Sequence, residues 1–462
     1  MIARPLATRS RAQRPRRVSW LPVAIATAIF ALPSAPHAQE TDLTRFELPN
    51  GMRVILQPSH ATPIVAVSVW YRVGSADDPP ERAGMSHLLE HLMFGGTPQA
   101  PSGRLDEWLN AEGSRANAST TSERTAYFES MPSHALPLAL WLEADRMAHL
   151  GDALDSARLE TERQIVMNER RERVDGPAYG RSYELVLGAL FGSSHPYATL
   201  PVGRMHNVER ITLQELRDFH RMYYSPANAT LAIVGDFDAD SIRTLVTQWF
   251  GRIPGGPLAT RATLPDVVSA APDVTVADSS ATSPGLFLAW ETVPAFHETD
   301  AAFDVLAHIL GGGSRSRLRH ALVDSAQLAV SVESAQYSAH RLGFFLLSAT
   351  LSPNANVARA RRVIAREIAR LHTEGPSPSE LERAKAFLRG QLLDRSASVA
   401  DRAEQVNFYA YYAGEPEWLR ADLARYEGVT ASEVRRAAGY LVGRGASLLM
   451  VPPGEVANGG PR

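Results

Sequence analysis

The 462-residue sequence contains no cysteine. That absence excludes a disulfide framework, thiol catalysis and thiolate metal ligands, so any zinc-type site must be built from histidine and carboxylate. A long apolar run is missing as well. The one candidate, Leu21 to Leu32, is only about 12 residues long, too short to cross a bilayer, and no cysteine follows it to carry a lipid anchor. Six arginines and no acid precede this run, and Pro33-Ser-Ala-Pro-His-Ala38 follows it, so residues 1–38 read as a secretory signal peptide cleaved near Ala38. Pro36 departs from the usual small residue before the cleaved bond and leaves the exact bond open. Arg16-Arg17 leaves a twin-arginine route open beside general secretion, although Val18-Ser-Trp20 fits that route loosely. Either route predicts a periplasmic or secreted protein. Losing the leader removes six of the 47 basic residues and none of the 50 acidic ones, which leaves a mature chain near −9 and speaks against nucleic acid as a partner. No Ser-His-Asp pattern, phosphate loop or dinucleotide fingerprint is present either.

What the sequence does contain is Gly84-Met-Ser-His-Leu-Leu-Glu-His-Leu-Met-Phe-Gly-Gly-Thr97, with His87, Glu90 and His91 in the order H-x-x-E-H. On a helix the two histidines lie one turn apart and can point at one ion, with Glu90 beside them, while Leu88, Leu89 and Leu92 turn into a core. Two neutral nitrogens can hold a metal and leave room for a water whose proton a nearby carboxylate takes.

The full sequence is 45% hydrophobic, and the mature chain is long enough for two cores. Residues 252–273 are rich in Pro, Gly, Ala and Thr and read as a linker between an N-terminal domain, 41–251, and a C-terminal domain, 274–462. The chain repeats itself on either side. Ile211-Thr-Leu-Gln-Glu-Leu-Arg217 recurs as Val429-Thr-Ala-Ser-Glu-Val-Arg435, and Ala229-Thr-Leu-Ala-Ile-Val234 as Ala446-Ser-Leu-Leu-Met-Val451. The same offset sets His91 on His308 and Gly95-Gly96 on Gly312-Gly313, but His87 on Asp304 and Glu90 on Ala307, so the second copy has lost the metal motif. Within the first copy, Phe46 to Leu56 reads as two strands around an Asn-Gly turn and Ile64 to Tyr71 as a half-alternating strand. Further strands are predicted within Arg115 to Met131. Helices are predicted over Leu105–Glu112, Ala135–His149 and Ser156–Arg173. The fold class is α+β, two homologous domains, each an antiparallel-rich sheet covered by helices. The last of those helices carries Glu160, Glu162, Glu169 and Glu172, with Ile165 and Val166 expected to point inward, and spacing alone does not choose a ligand among the four glutamates.

Together with Gly74-Ser-Ala-Asp-Asp-Pro79, Glu162-Arg-x-x-Val-x-x-Glu169 and Tyr224-Ser-Pro-Ala-Asn-Ala-Thr-Leu-Ala-Ile-Val-Gly-Asp236, the opening motif resembles the pitrilysin/insulinase family of inverted-motif zinc peptidases. The likeness is to the short two-domain form shared by mitochondrial processing peptidase subunits and bacterial exported relatives, and it covers nearly the whole mature chain. The resemblance implies that His87, His91 and Glu169 bind Zn2+, that Glu90 is the general base, and that Glu162 supports the site from behind. It also implies that Asn117, Ala118 and Ser119 belong to the strand that pairs with an extended peptide substrate.

One departure stands out. Self-sufficient relatives carry an arginine and, seven residues later, a tyrosine in the second domain, which close over the zinc and hold the substrate carbonyl. Aligned on Gly311-Gly-Gly-Ser-Arg-Ser-Arg-Leu318 and Leu328-Ala-Val-Ser-Val332, those positions are Val323 and Val330 here. The resemblance therefore implies the zinc-carrying subunit of a heterodimer whose paralogous partner supplies the Arg/Tyr pair, with a homodimer possible. Tyr337, Arg315 or Arg319 could substitute. The rival reading from another class is a non-catalytic structural or chaperone-like subunit of a larger assembly.

Overall fold

The computed structural model describes residues 43–257, 261, 264–265, 272–443 and 445–453, the side chain of Asp106 excepted. The leader 1–38, most of the span 258–271 within the expected linker, and the tail 454–462 lie outside the described residues. No described helix is long and apolar enough to cross a membrane.

Two sheets organise the chain. The first contains β1 (Thr44–Glu47), β2 (Arg53–Pro58), β3 (Ile64–Tyr71), β4 (Arg115–Thr120), β5 (Thr125–Pro132) and β6 (Ala229–Gly235), in the order β1-β2-β6-β3-β5-β4. The second contains β7 (Asp273–Ala277), β8 (Gly285–Thr292), β9 (Ala329–Ser338), β10 (Gly343–Leu351) and β11 (Ala446–Val451), in the order β7-β11-β8-β10-β9. Once β1 is set aside the two orders are the same, each with one parallel pair, β2 with β6 and β7 with β11. The repeat seen in the sequence is thus a repeat of topology.

The helices of the first half are α1 (Met85–Leu92), α2 (Arg104–Ala111), α3 (Leu136–Ala153), α4 (Ser156–Arg170), α5 (Ser182–Phe191), α6 (Met205–Arg210), α7 (Leu213–Tyr223) and α8 (Ala239–Phe250). Those of the second are α9 (Asp300–Gly311), α10 (Val357–Glu374), α11 (Pro378–Asp394), α12 (Val399–Tyr412), α13 (Leu419–Gly428) and α14 (Ala431–Leu441). The recurring Ile211 and Val429 segments open α7 and α14, each on a capping box, Thr212 with Glu215 and Thr430 with Glu433.

The half-alternating reading of Ile64–Tyr71 needs correction, because β3 is buried on both faces from Val65 onward. The reason is a helix from the other half. α12 lies across the first sheet, setting Val406 against Ile55 and Ala232, and Ala403 against Ala66 and Val234. The alanines let the helix approach closely, and the polar residues of the face are paired: Asn407 Nδ2 donates to the Ser68 carbonyl (3.0 Å), while Ser68 Oγ and Trp70 Nε1 donate to Glu404 (2.5 and 3.2 Å). In return α5 leaves the first half to cover the second sheet, where Val186, Leu187, Leu190 and Phe191 pack with Phe287, Ala289, Phe344 and Leu448. Each sheet is closed by a helix borrowed from the other half.

The β4–β5 and β9–β10 turns meet at Glu123, which is almost completely buried. Its carboxylate accepts from the backbone N–H groups of His340 (2.5 Å) and Arg341 (3.2 Å) and from Tyr197 Oη, and its carbonyl accepts from Arg261 (2.5 Å) and Tyr411 (3.1 Å). Three donors from both halves satisfy the carboxylate, as its burial requires, and two more satisfy the carbonyl of the same residue.

Candidate metal centre

The motif helix α1 is set up by its N-terminus. Gly84 turns the chain at φ +104°, a left-handed conformation that glycine adopts without strain, and Gly203, at φ +70°, packs against it. A Cβ on Gly203 would lie 2.2 Å from the Ala83 carbonyl, so the loop that carries Leu200, Pro201 and Val202 approaches α1 only through this glycine. Asp78 caps the helix from a distance, accepting from the N–H groups of Gly84 (2.8 Å) and Ser86 (2.9 Å) and from Ser86 Oγ (2.5 Å). Burial pushes the Asp78 carboxyl up to about 7, against these hydrogen bonds, which pull it down. Leu88, Leu89 and Leu92 are fully buried as the spacing predicts, which turns His87 and His91 the other way.

α4 lies against α1. Asp155 accepts from Arg158 N–H (2.9 Å) at its start. Glu162 and Glu169 face the histidines, and the residue after each is an arginine on the buried side. Arg163 donates to the carbonyls of Ile211 (2.9 Å) and Val208; Arg170 grips Glu184 with two nitrogens (3.0 and 2.9 Å) and also reaches Asp175 and the Gly203 carbonyl. These paired, buried guanidinium groups fix the rotation of α4, so that the glutamates arrive on the side of the histidines. Val166 is buried as expected, but Ile165 is 45% exposed and does not point inward. The buried stripe of α4 runs through Leu159, Arg163, Val166 and Arg170, not through Ile165.

Among the described residues, His87, His91 and Glu169 offer one ligand atom each, all within 4.8 Å of one another. Glu169 Oε2 is 3.4 Å from His91 Nε2 and 3.7 Å from His87 Nε2. These separations are long for hydrogen bonds and match the spacing of about 3.4 Å between ligands bound tetrahedrally at roughly 2.0–2.1 Å from one ion. The donor set, two imidazoles and a carboxylate, fits zinc with a position left open. Burial, with smaller contributions from His91 and Arg173, holds His87 down to about 3, so its ring is neutral and its nitrogen is free to ligate. Burial also pulls His91 down, but the carboxylates of Glu162, Glu169 and Glu90 around it more than offset this, and its value lies above the ordinary one. Glu162 stands 3.4 Å from His91 Nδ1, on the far side of the ring from Glu169, where it fixes the tautomer and the ring plane. Of the four candidate glutamates, Glu160 pairs instead with Arg163 and Gln164, away from the histidines. Replacing Glu162 with glutamine is expected to weaken zinc binding about 10- to 100-fold in a chelator competition, and an unchanged affinity would remove it from the site.

Glu90 sits beside the trio, nearly buried. Burial raises its carboxyl above the ordinary range, tempered by the Thr120 hydrogen bond (2.5 Å) and the His91 field, which suits a general base. The pocket in front of these groups has a volume of about 730 Å3, and Asn117, Ala118, Ser119 and Thr120 of the outer strand β4 form one wall. Phe94, Val174, Leu200, Pro201 and Val202 form an apolar wall.

Every described lining residue belongs to the first half. Tyr337, Arg315 and Arg319 do not line the pocket of their own chain. Tyr337 stacks on Phe344 (4.9 Å between rings, 15°), and Val330 is exposed while Val323 packs on the second core. The vestigial copy is filled by other chemistry: Tyr426 Oη donates to Asp304 (2.7 Å), and His308 lies flat on Phe387 (4.2 Å, 24°), a residue that α11 presents as α4 presents Glu169.

Residues 53–185 match the family described as Insulinase (Peptidase family M16), and residues 210–388 match Peptidase M16 inactive domain. An uncharacterized zinc protease of Mycobacterium tuberculosis is 32% identical over 415 residues, 88% of this chain and 92% of its own length. The zinc protease PqqE of Helicobacter pylori is 30% identical, covering 77% of this chain and 80% of its own length. The crystal structure of a protease from Helicobacter pylori superposes with a TM-score of 0.82 at 26% identity, over 89% of this chain and all of that one.

Proposed function

Since the chain belongs to the M16 family of peptidases, we propose that it is a zinc-dependent endopeptidase acting on extended peptides. The observation that carries the reading is the convergence of His87, His91 and Glu169 at ligand spacing with Glu90, a non-ligand carboxylate, beside them. A zinc ion held there would polarise the scissile carbonyl and acidify a water. The protein's own groups do the rest. Glu90 accepts the proton of the attacking water and returns it to the leaving amine nitrogen. β4, an outer strand, offers Asn117 to Ser119 for main-chain pairing with the peptide, and the apolar wall takes a side chain next to the cleaved bond.

The same reading assigns the chain to the zinc-bearing side of a heterodimer, since among the described residues no group of the second half lines the pocket, and to an exported location, on the leader. Stripping the metal with a chelator is expected to abolish peptide hydrolysis, and one equivalent of zinc to restore it. Hydrolysis that survives a metal-free preparation, verified by elemental analysis, would overturn the proposal.

A further inference from the structure

We propose that Thr120 is a positioning residue that couples the seating of a substrate strand on β4 to the orientation of Glu90; this rests on the peptidase reading. Thr120 is the last residue of β4, and among the described strands β4 has a neighbour on one side only, β5. Its hydroxyl donates to Glu90 Oε2 at 2.5 Å. Across the ladder stands Thr125, fully buried, whose own hydroxyl donates to the Val73 carbonyl (3.0 Å) and lies 3.3 Å from Thr120 Oγ1. With the Thr125 proton spent on Val73, the Thr120 proton goes to Glu90.

The consequence is an assignment of oxygens. Oε2 is held as an acceptor, so Oε1 is the oxygen left to receive a proton. As the water oxygen bonds to the carbonyl carbon, its proton passes to Oε1; as the carbon–nitrogen bond breaks, that proton passes to the amine nitrogen, and the Thr120 O–H is unchanged throughout.

The link to substrate lies two residues earlier on the strand. The Ala118 N–H donates to Asn117 Oδ1 (2.8 Å), and the Ser119 carbonyl and hydroxyl accept from Arg124 (2.7 and 2.5 Å), whose guanidinium lies over Trp70 (4.7 Å). Asn117 thus occupies the Ala118 N–H, a backbone donor that an adjoining strand would use, while Ser119 turns its own backbone to β5, in step with the Thr121–Arg124 closure of the hairpin. A peptide that takes over the Ala118 N–H fixes the end of β4, and through Thr120, whose backbone faces the same side, it fixes Glu90.

The test compares Thr120→Val and Thr120→Ser with wild type on a peptide series, from short ones that cannot reach Asn117 to ones long enough to pair along Asn117–Ser119. Wild type should show kcat rising with length. Thr120→Val should lose about 10- to 100-fold in kcat on long peptides and much less on short ones, with zinc content unchanged and Thr120→Ser restoring most of the rate. In a Glu90→Gln background, adding Thr120→Val should leave the Kd of a long peptide unchanged. An active wild type with Thr120→Val unaltered, equally impaired at every length, or impaired through peptide Kd overturns this inference alone. A wild-type chain that cleaves nothing, with or without a partner, overturns the peptidase reading and this with it.

Discussion

Glutamine at position 90 is expected to lower peptide hydrolysis by about a hundred- to ten-thousand-fold while zinc content stays at the wild-type level. The two effects separate because Glu90 is not one of the three converging ligand residues; it stands beside them, nearly buried and bonded to Thr120. Glutamine has the same shape and still accepts from the Thr120 hydroxyl through its amide oxygen, but it cannot carry a proton from water to the leaving nitrogen. Measuring kcat together with metal content decides the matter. Substantial hydrolysis by the zinc-loaded variant would place the base elsewhere, and loss of zinc would mean that Glu90 holds the site together.

Adding a paralogous chain that carries the missing arginine and tyrosine is expected to raise kcat/KM by about two to three orders of magnitude over the isolated chain. That is the usual contribution of a donor aimed at a developing oxyanion. The expectation follows from the lining of the pocket. Among the described lining residues the one guanidinium, Arg173, pairs with Glu169, and the Thr120 hydroxyl is spent on Glu90. The aligned residues, Val323 and Val330, could not donate even if they reached the pocket. Titrating the partner into the zinc-loaded chain gives the answer. Fast turnover by the lone chain, rising with its own concentration, would point to a homodimer, and fast turnover independent of concentration would refute the divided site.

Much of this was legible in the sequence for reasons that can be named. H-x-x-E-H declares its helix because ligand spacing and the Leu88, Leu89, Leu92 stripe share one period. The repeat was visible because two strands and two helix starts kept their capping and β-branched residues. The choice of Glu169 came from family resemblance, since four glutamates on one helix are equivalent until something fixes its rotation. What fixes it is the doublet pattern, Glu162-Arg163 and Glu169-Arg170, and the arginines' acceptors lie far along the chain. The exposure of Ile165 and the double burial of β3 escaped for the same cause: each depends on which helix lies opposite, and for β3 that helix is in the other half.

The borrowed helices also set an order on how the protein can come to exist. All six strands of the first sheet have been synthesised by Gly235, yet the helix that covers its outer face begins at Val399, and residues 41–462 behave as one compact unit. Domains usually fold in turn as the chain emerges. Here the earlier half must wait, with Ile55, Ala66, Ala232 and Val234 uncovered, until the later half is nearly complete. A nascent chain in that state favours a holding chaperone or passage across a membrane before folding, and a gene cut at the linker would leave each fragment with an apolar sheet face open to self-association.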